Sequence, residues 1–338
     1  MDRRVGAWLV AAVVTVALVA AGVLVARGGG DRSPAALPAL DPAAGGAVGV
    51  SPRWPPVTYK LGAPLPDLPD RARAWTLGDT PDAGRLATLA AALGLGGRPV
   101  EEAIGWTVRD GRRGLTAHRL AGVPWTYEAT LLPIPRPGGP VAPARPGRRP
   151  ALPSRAEAER VARDLAARAG LDLDGARVRV RDDYATRAVT IDPAVGGQPT
   201  SGIAWTVAVG AGGTIRHATG WLATPQPADT YPLIGVEAGF EQLGRLPPLG
   251  PLKWAEAPAM EVDPCPAGSK LPCAAKPLTP RVATVTGVRL GLQRAPAPAK
   301  GERPAALAYL LPAYLFDLEG GWTDTRPVLA VPDRYLSR

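Results

Sequence analysis

Apolar residues recur along this chain in three rhythms, and each predicts a different element. The first is an unbroken run. Val5 to Ala26 carries no charge and reads VGAWLVAAVVTVALVAAGVLVA. As a helix at about 1.5 Å per residue it spans roughly 33 Å, enough to cross a bilayer core of about 30 Å. The second rhythm has a helical period. Arg85 to Leu95 (RLATLAAALGL) and Arg160 to Leu171 (RVARDLAARAGL) predict two amphipathic helices. Gly94 and Gly170 suit their C-caps, Asp79 or Asp82 starts the first, and Ser154 with Glu157 forms a capping box for the second. The third rhythm alternates with period two, as strands do.

The alternating stretches include a repeat. Trp106 opens WTVRDGRRGLTAH and Trp205 opens WTVAVGAGGTIRH. Both fit W-T-V-x-x-G-x-x-G-x-x-x-H, with Gly111, Gly114 and His118 in one copy and Gly210, Gly213 and His217 in the other. Each copy predicts a β-hairpin around a Gly turn, following its own helix. The two tryptophans are expected to start equivalent strands packed on the upstream helix, with the histidines at matching places on the return strand. Val178–Val180 and Ala188–Ile191 add strands to the second copy. A third unit follows, with a short helix over Leu233–Leu243 and strands over Val282–Leu292, Ala306–Leu318 and Val328–Val331. Pro312 inside one of them predicts an edge or a bulge.

Arg3 and Arg4 precede the apolar run, so the positive-inside rule places the short N-terminus in the cytoplasm and the rest outside. A cleaved signal peptide is the alternative, but its apolar core usually runs about 7–15 residues. The expected fold is α+β: an N-terminal transmembrane helix followed by tandem helix-plus-antiparallel-sheet units. Residues 1–27 form the cytoplasmic tip and anchor, 28–53 a Gly/Pro linker, and 54–133 the first unit. A Pro/Arg-rich linker covers 134–153, the second unit 154–245, and a β-rich C-terminal unit 246–338.

Composition changes this picture in two places. The net charge is +9, nearly all of the cations are Arg, and the 134–153 linker has no acidic residue. That suits contact with anionic lipid heads or wall polymers, although an Arg-, Ala-, Gly- and Pro-rich composition also marks a GC-rich genome. The chain has two cysteines, Cys265 and Cys273, in the bend CPAGSKLPC. In an oxidising compartment they are expected to pair as a disulfide.

Chemistry is sparse. No G-x-S-x-G, H-E-x-x-H, S-x-x-K or phosphate-loop pattern occurs, and there are two histidines in all. Their matching places in the repeat predict a structural role. Asp172-x-Asp174 before Gly175 reads as turn chemistry rather than a calcium loop. Asp182-Asp183 is a further carboxylate pair. No catalytic, cofactor-binding or metal-binding residue is assigned. With nine Trp and two Phe, most tryptophans must fill the core. Any that stay exposed are interface anchors, and Trp125, Tyr127 and Trp221, which close the hairpins, are the candidates.

The tandem helix-then-hairpin layout resembles the PepSY and YycH/YycI-like extracytoplasmic folds. The order of anchor, Pro-rich linker, LAAALGL, GWTV, LTAHRLAGVPWTY and a closing LLPAYLF also resembles uncharacterised actinobacterial single-pass membrane proteins. The resemblance implies a regulatory or binding role and carries no catalytic residue. The expected function is thus a single-pass, extracytoplasmic binding, sensing or regulatory protein without catalysis or cofactor. It would act through a protein or peptide partner or an envelope ligand, and not through nucleic acid. A carboxylate-using envelope hydrolase and a passive assembly factor are the alternatives.

Overall fold

The computed structural model describes residues 57–78, 81–119, 123–130, 151–183, 185–246, 281–296, 308–320 and 324–336. The expected anchor, the 28–53 linker, residues 134–150 and the expected Cys265–Cys273 pair lie outside them. Among the described residues no helix is long and apolar enough to cross a membrane. They form an α+β structure of two eight-stranded sheets and three helices.

The first sheet merges both repeat copies. The first copy supplies α1 (Ala83–Ala92), then β3 (Val100–Glu102), β4 (Gly105–Asp110), β5 (Arg113–His118) and β6 (Trp125–Glu128). The second supplies α2 (Arg155–Arg168), β7 (Arg177–Asp182), β8 (Arg187–Asp192), β11 (Trp205–Val209) and β12 (Ile215–Gly220). The strand order is β3-β4-β5-β6-β12-β11-β8-β7. Two meanders therefore meet at an antiparallel β6–β12 seam, where Thr126 opposes Thr219. Expected as units in series, the copies share one sheet because each meander alone would leave its last strand unpaired.

Local chemistry explains the helices. Asp82 accepts from the Arg85 N–H at 2.7 Å, and Ser154 accepts from the Glu157 N–H at 3.1 Å. Gly94 and Gly170 end the helices with φ of 69° and 83°, a left-handed conformation that favours glycine. Both helices lie on one face of the sheet. Leu86, Leu89, Leu165 and Ala166 bury against Val108, Leu115, Val189, Ile191, Val207 and Val209. α1 packs on β4 and α2 on β8 and β11, so each Trp-bearing strand lies under its own upstream helix.

The second sheet is built around a long antiparallel ribbon, β14 (Arg281–Pro296) with β15 (Ala308–Glu319). β1 (Val57–Leu61) pairs parallel with the start of β14, and β10 (Gln198–Ser201) parallel with its end. β9 (Ala194–Val195) extends β10 as a hairpin. β16 (Thr325–Leu329) and β2 (Arg71–Leu77) divide the other side of the ribbon, and β13 (Pro225–Pro232) pairs with β2. α3 (Val236–Arg245) packs on β1 and β16. Its Gly239 lies against the Tyr314 ring, where a Cβ would come within 2.5 Å of a ring carbon.

Pro312 sits inside the ribbon and not on an edge strand. β2 pairs with β15 through Leu310 and β16 from Ala313, so Pro312 falls in the gap between them. Its carbonyl accepts from the Ala330 N–H at 2.9 Å. A residue's N–H and C=O project to one side of an antiparallel strand. The missing N–H therefore faces the gap and costs no ladder bond.

Candidate functional site

Threonines dominate the face of the first sheet turned away from the helices. Side chains alternate between faces, so the buried Val108, Leu115, Tyr127, Ala218, Val207 and Val189 point toward the helices and their neighbours point the other way. Those neighbours align. Thr107 pairs with Thr116 and Thr116 with Thr126. Thr126 pairs with Thr219, Thr219 with Thr206, and Thr206 with Thr190. Six successive strands thus place a threonine in one straight row. At a strand spacing of about 4.8 Å the row is roughly 24 Å long. The next strand continues it with Arg179, opposite Thr190.

The parallel row one step along the strands is nearly flat. It runs Arg109, Gly114, Glu128, His217, Ala208, Ala188 and Arg181. Between the edge arginines it contains two long side chains, and they hold each other: His217 Nδ1 lies 2.9 Å from Glu128 Oε1. In the threonine row, Thr107 donates to Glu102 at 2.8 Å and Thr219 to the Trp125 carbonyl at 2.7 Å. Thr116, Thr126, Thr206 and Thr190 make no side-chain hydrogen bond among the described residues and are half-buried. Their hydroxyls can both donate and accept.

An ionic cluster ends the face at β7. Arg179 holds Asp192 at 2.7 Å. Arg181 holds Asp324 at 2.9 Å, and Arg177 lies 3.7 Å from Asp317 and 3.2 Å from the Thr325 hydroxyl. Burial pushes the Asp192 carboxyl above its ordinary range, while Arg179, Arg177 and Arg289 pull it back. These contacts join the sheets and bound the threonine row on that side.

The residues expected at an interface are placed differently from one another. Trp125 and Tyr127 are 1% and 3% exposed and belong to the core under the helices, so neither is an exposed anchor. Trp221 is half-buried, and Arg294 stacks over its ring at 4.4 Å. Trp125 and Trp221 do not close equivalent hairpins, because Trp125 opens β6 and Trp221 follows β12. The histidines do not match either. His118 pairs with Gly105, one residue before Trp106, whereas His217 pairs with Ala208, three residues after Trp205. Asp172 accepts from the Asp174 N–H at 2.9 Å, a local turn bond, and Asp182 lies 3.3 Å from Arg155. Among the described residues no three of His, Cys, Asp and Glu are grouped to hold a metal ion.

Known proteins add little. No family model and no curated protein matches the chain. Among solved structures, that of an uncharacterized protein from Eubacterium rectale aligns over 77% of this chain and 81% of its own, at 11% identity and a TM-score of 0.38.

The threonine row was missed from sequence because its members are scattered from Thr107 to Thr219. The available signal was the Thr after each repeated Trp, which faces away from the Trp and hence away from the core.

Proposed function

We propose that this chain is a membrane-tethered, extracytoplasmic binding protein that acts without catalysis. Its threonine face holds a hydroxyl-rich polymer of the cell envelope. The threonine row carries this reading. A flat, regularly spaced line of hydroxyls and methyls offers hydrogen bonds at one interval to a ligand that repeats its own hydroxyls, as a linear glycan does. An apolar partner would need large apolar side chains on this face, and a nucleic acid would need cations along the row. The row contains neither until Arg179 at its end. The anchor Val5–Ala26 supports the location, because it would present the sheets to the envelope.

The His217–Glu128 pair keeps the hydrolase alternative in view. A nucleophile would have to hydrogen-bond the other imidazole nitrogen, and no hydroxyl does so among the described residues.

The test is cosedimentation of the full chain, in non-ionic detergent, with purified insoluble cell-wall glycan. Thr116→Val with Thr206→Val removes two central hydroxyls and keeps the β-branched shape. A tenfold or larger loss of affinity with unchanged melting temperature is expected. Equal binding by this variant and the parent would sink the reading.

A further inference from the structure

The helix side of the first sheet holds a separate concavity of about 570 Å³, under the C-terminal turn of α1 and beside α2. Its charge is unbalanced. Arg113, Arg160, Arg168 and Arg216 line it together with one carboxylate, Asp164. Two of these cations are already engaged. Arg113 is paired with Asp110, and Arg160 lies 3.1 Å from Asp164. Arg168 uses Nε on the Asp164 backbone carbonyl at 3.2 Å, which leaves its other guanidinium donors uncommitted. The Arg216 guanidinium has no hydrogen bond or ion pair among the described residues. The Arg160–Asp164 pair is exposed on both sides, and such solvent-screened pairs are weakly held. An incoming anion can therefore recruit Arg160 as well.

The wall beneath is apolar. Leu93, Val161, Ile215 and Tyr127 line it. Burial raises the Tyr127 phenol above its ordinary value, with Arg113 opposing. The phenol is therefore a neutral O–H at physiological pH. At the C-terminal end of α1 the Leu89, Ala90 and Ala91 carbonyls already accept from the Leu93, Leu95 and Gly94 N–H groups.

We infer that this cleft is an anion site for a phosphate group carried on an apolar stem. Guanidinium groups bind phosphate oxygens in a planar, two-pronged geometry that matches this clustering. The apolar floor adds affinity for the stem that inorganic phosphate cannot draw on. The inference does not rest on the threonine face, which lies on the opposite side of the sheet. The phosphate can come from a soluble ester or a lipid headgroup.

The experiment is calorimetric titration of the full chain in non-ionic detergent with hexyl phosphate and with inorganic phosphate. Hexyl phosphate is expected to saturate at one per chain and to bind at least tenfold tighter than inorganic phosphate. Arg168→Gln with Arg216→Gln is expected to weaken it at least tenfold without shifting the melting temperature. Arg163→Gln, which removes a like charge from the same helix outside the cleft, leaves the affinity unchanged. Displacement of hexyl phosphate by micelle-dispersed phosphatidic acid assigns the site to a headgroup, and failure of that displacement assigns it to a soluble ester. A Kd weaker than about 1 mM, a little over 4 kcal/mol of binding, overturns the inference. So do equal losses in the double variant and in Arg163→Gln, which would reduce the effect to net charge.

Discussion

In the β4–β5 hairpin a two-residue turn, Gly111-Arg112, sets Trp106 opposite Ala117, whereas in β11–β12 five residues, Gly210 to Thr214, separate the strands and Thr206 falls opposite Thr219. The same Trp-Thr-Val and the same later glycines thus end in different registers. Gly114 is a strand residue opposite Arg109, while its counterpart Gly213 turns the chain with φ of 73°. The difference also sorts the tryptophans. Trp205 is 2% exposed, donates through Nε1 to the Trp221 carbonyl at 3.0 Å, and meets Trp125 edge-on at 4.8 Å. The two indoles flank β12 and reach each other because its residue there is Gly220, whose Cβ would lie 2.6 Å from the Trp205 ring. Trp106 lies on β4, beside the edge strand β3, and is only partly buried. Composition chooses the face a residue occupies, and the turn chooses its neighbours.

The largest expected effect separates the two tryptophans. Trp205→Ala should cost about 3–5 kcal/mol in urea unfolding, as a full core truncation does. Trp106→Ala should cost less than half as much, and equal losses would mean that the copies are energetically equivalent after all. Gly220→Ala comes next, at about 1–3 kcal/mol, because the added methyl overpacks the indole pair. Its loss should largely vanish in a Trp205→Ala background, and simple additivity in that double-mutant cycle would break the link between Gly220 and the indoles.

The turn glycines give a smaller contrast. Gly111 has φ of 60° and open space around its would-be Cβ, so Gly111→Ala should cost about 1 kcal/mol from backbone conformation alone. Gly210 has φ of −91°, so Gly210→Ala strains no backbone, but its Cβ would lie 2.9 Å from Arg216 Cγ. Its cost is packing and should fall in an Arg216→Ala background, whereas that of Gly111→Ala should not. The histidines come last. His118→Gln and His217→Gln should each shift stability by about 0.5 kcal/mol or less, as surface changes do. A His217 variant that melts normally yet loses glycan binding or another activity would bring the hydrolase reading forward.

These contrasts show which features the sequence makes legible. Helix period, the Asp82 and Ser154 caps and the Gly94 and Gly170 ends are local, and they place α1 and α2 within a few residues. Strand alternation likewise finds β4, β5, β8, β11, β14 and β15. Pairing across distance is not local. Nothing near Thr126 announces Thr219, and nothing near Arg160 announces Arg216. Both the threonine row and the arginine cleft exist only once register is set by turns, by the β6–β12 seam and by Gly220. Pro312 misleads for a related reason. Its tolerance depends on where two other strands stop.

The parallel pairing of Val57–Leu61 with Arg281–Val285 fixes an order of events during synthesis. Translation delivers β1 before the whole of the first sheet, but its partner β14 only after it. The first sheet, whose strands all lie between Val100 and Gly220, can close while the ribosome is still working. The second sheet must wait: β2 can pair with β13, but β1 stays unpaired until β14 is made. Contacts so distant along the chain form slowly. A ribosome that stalls before Arg281 therefore releases a product with one finished sheet, a β2–β13 pair without the ribbon it packs into, and an orphan β1, which is a substrate for chaperones and proteases rather than a smaller working protein.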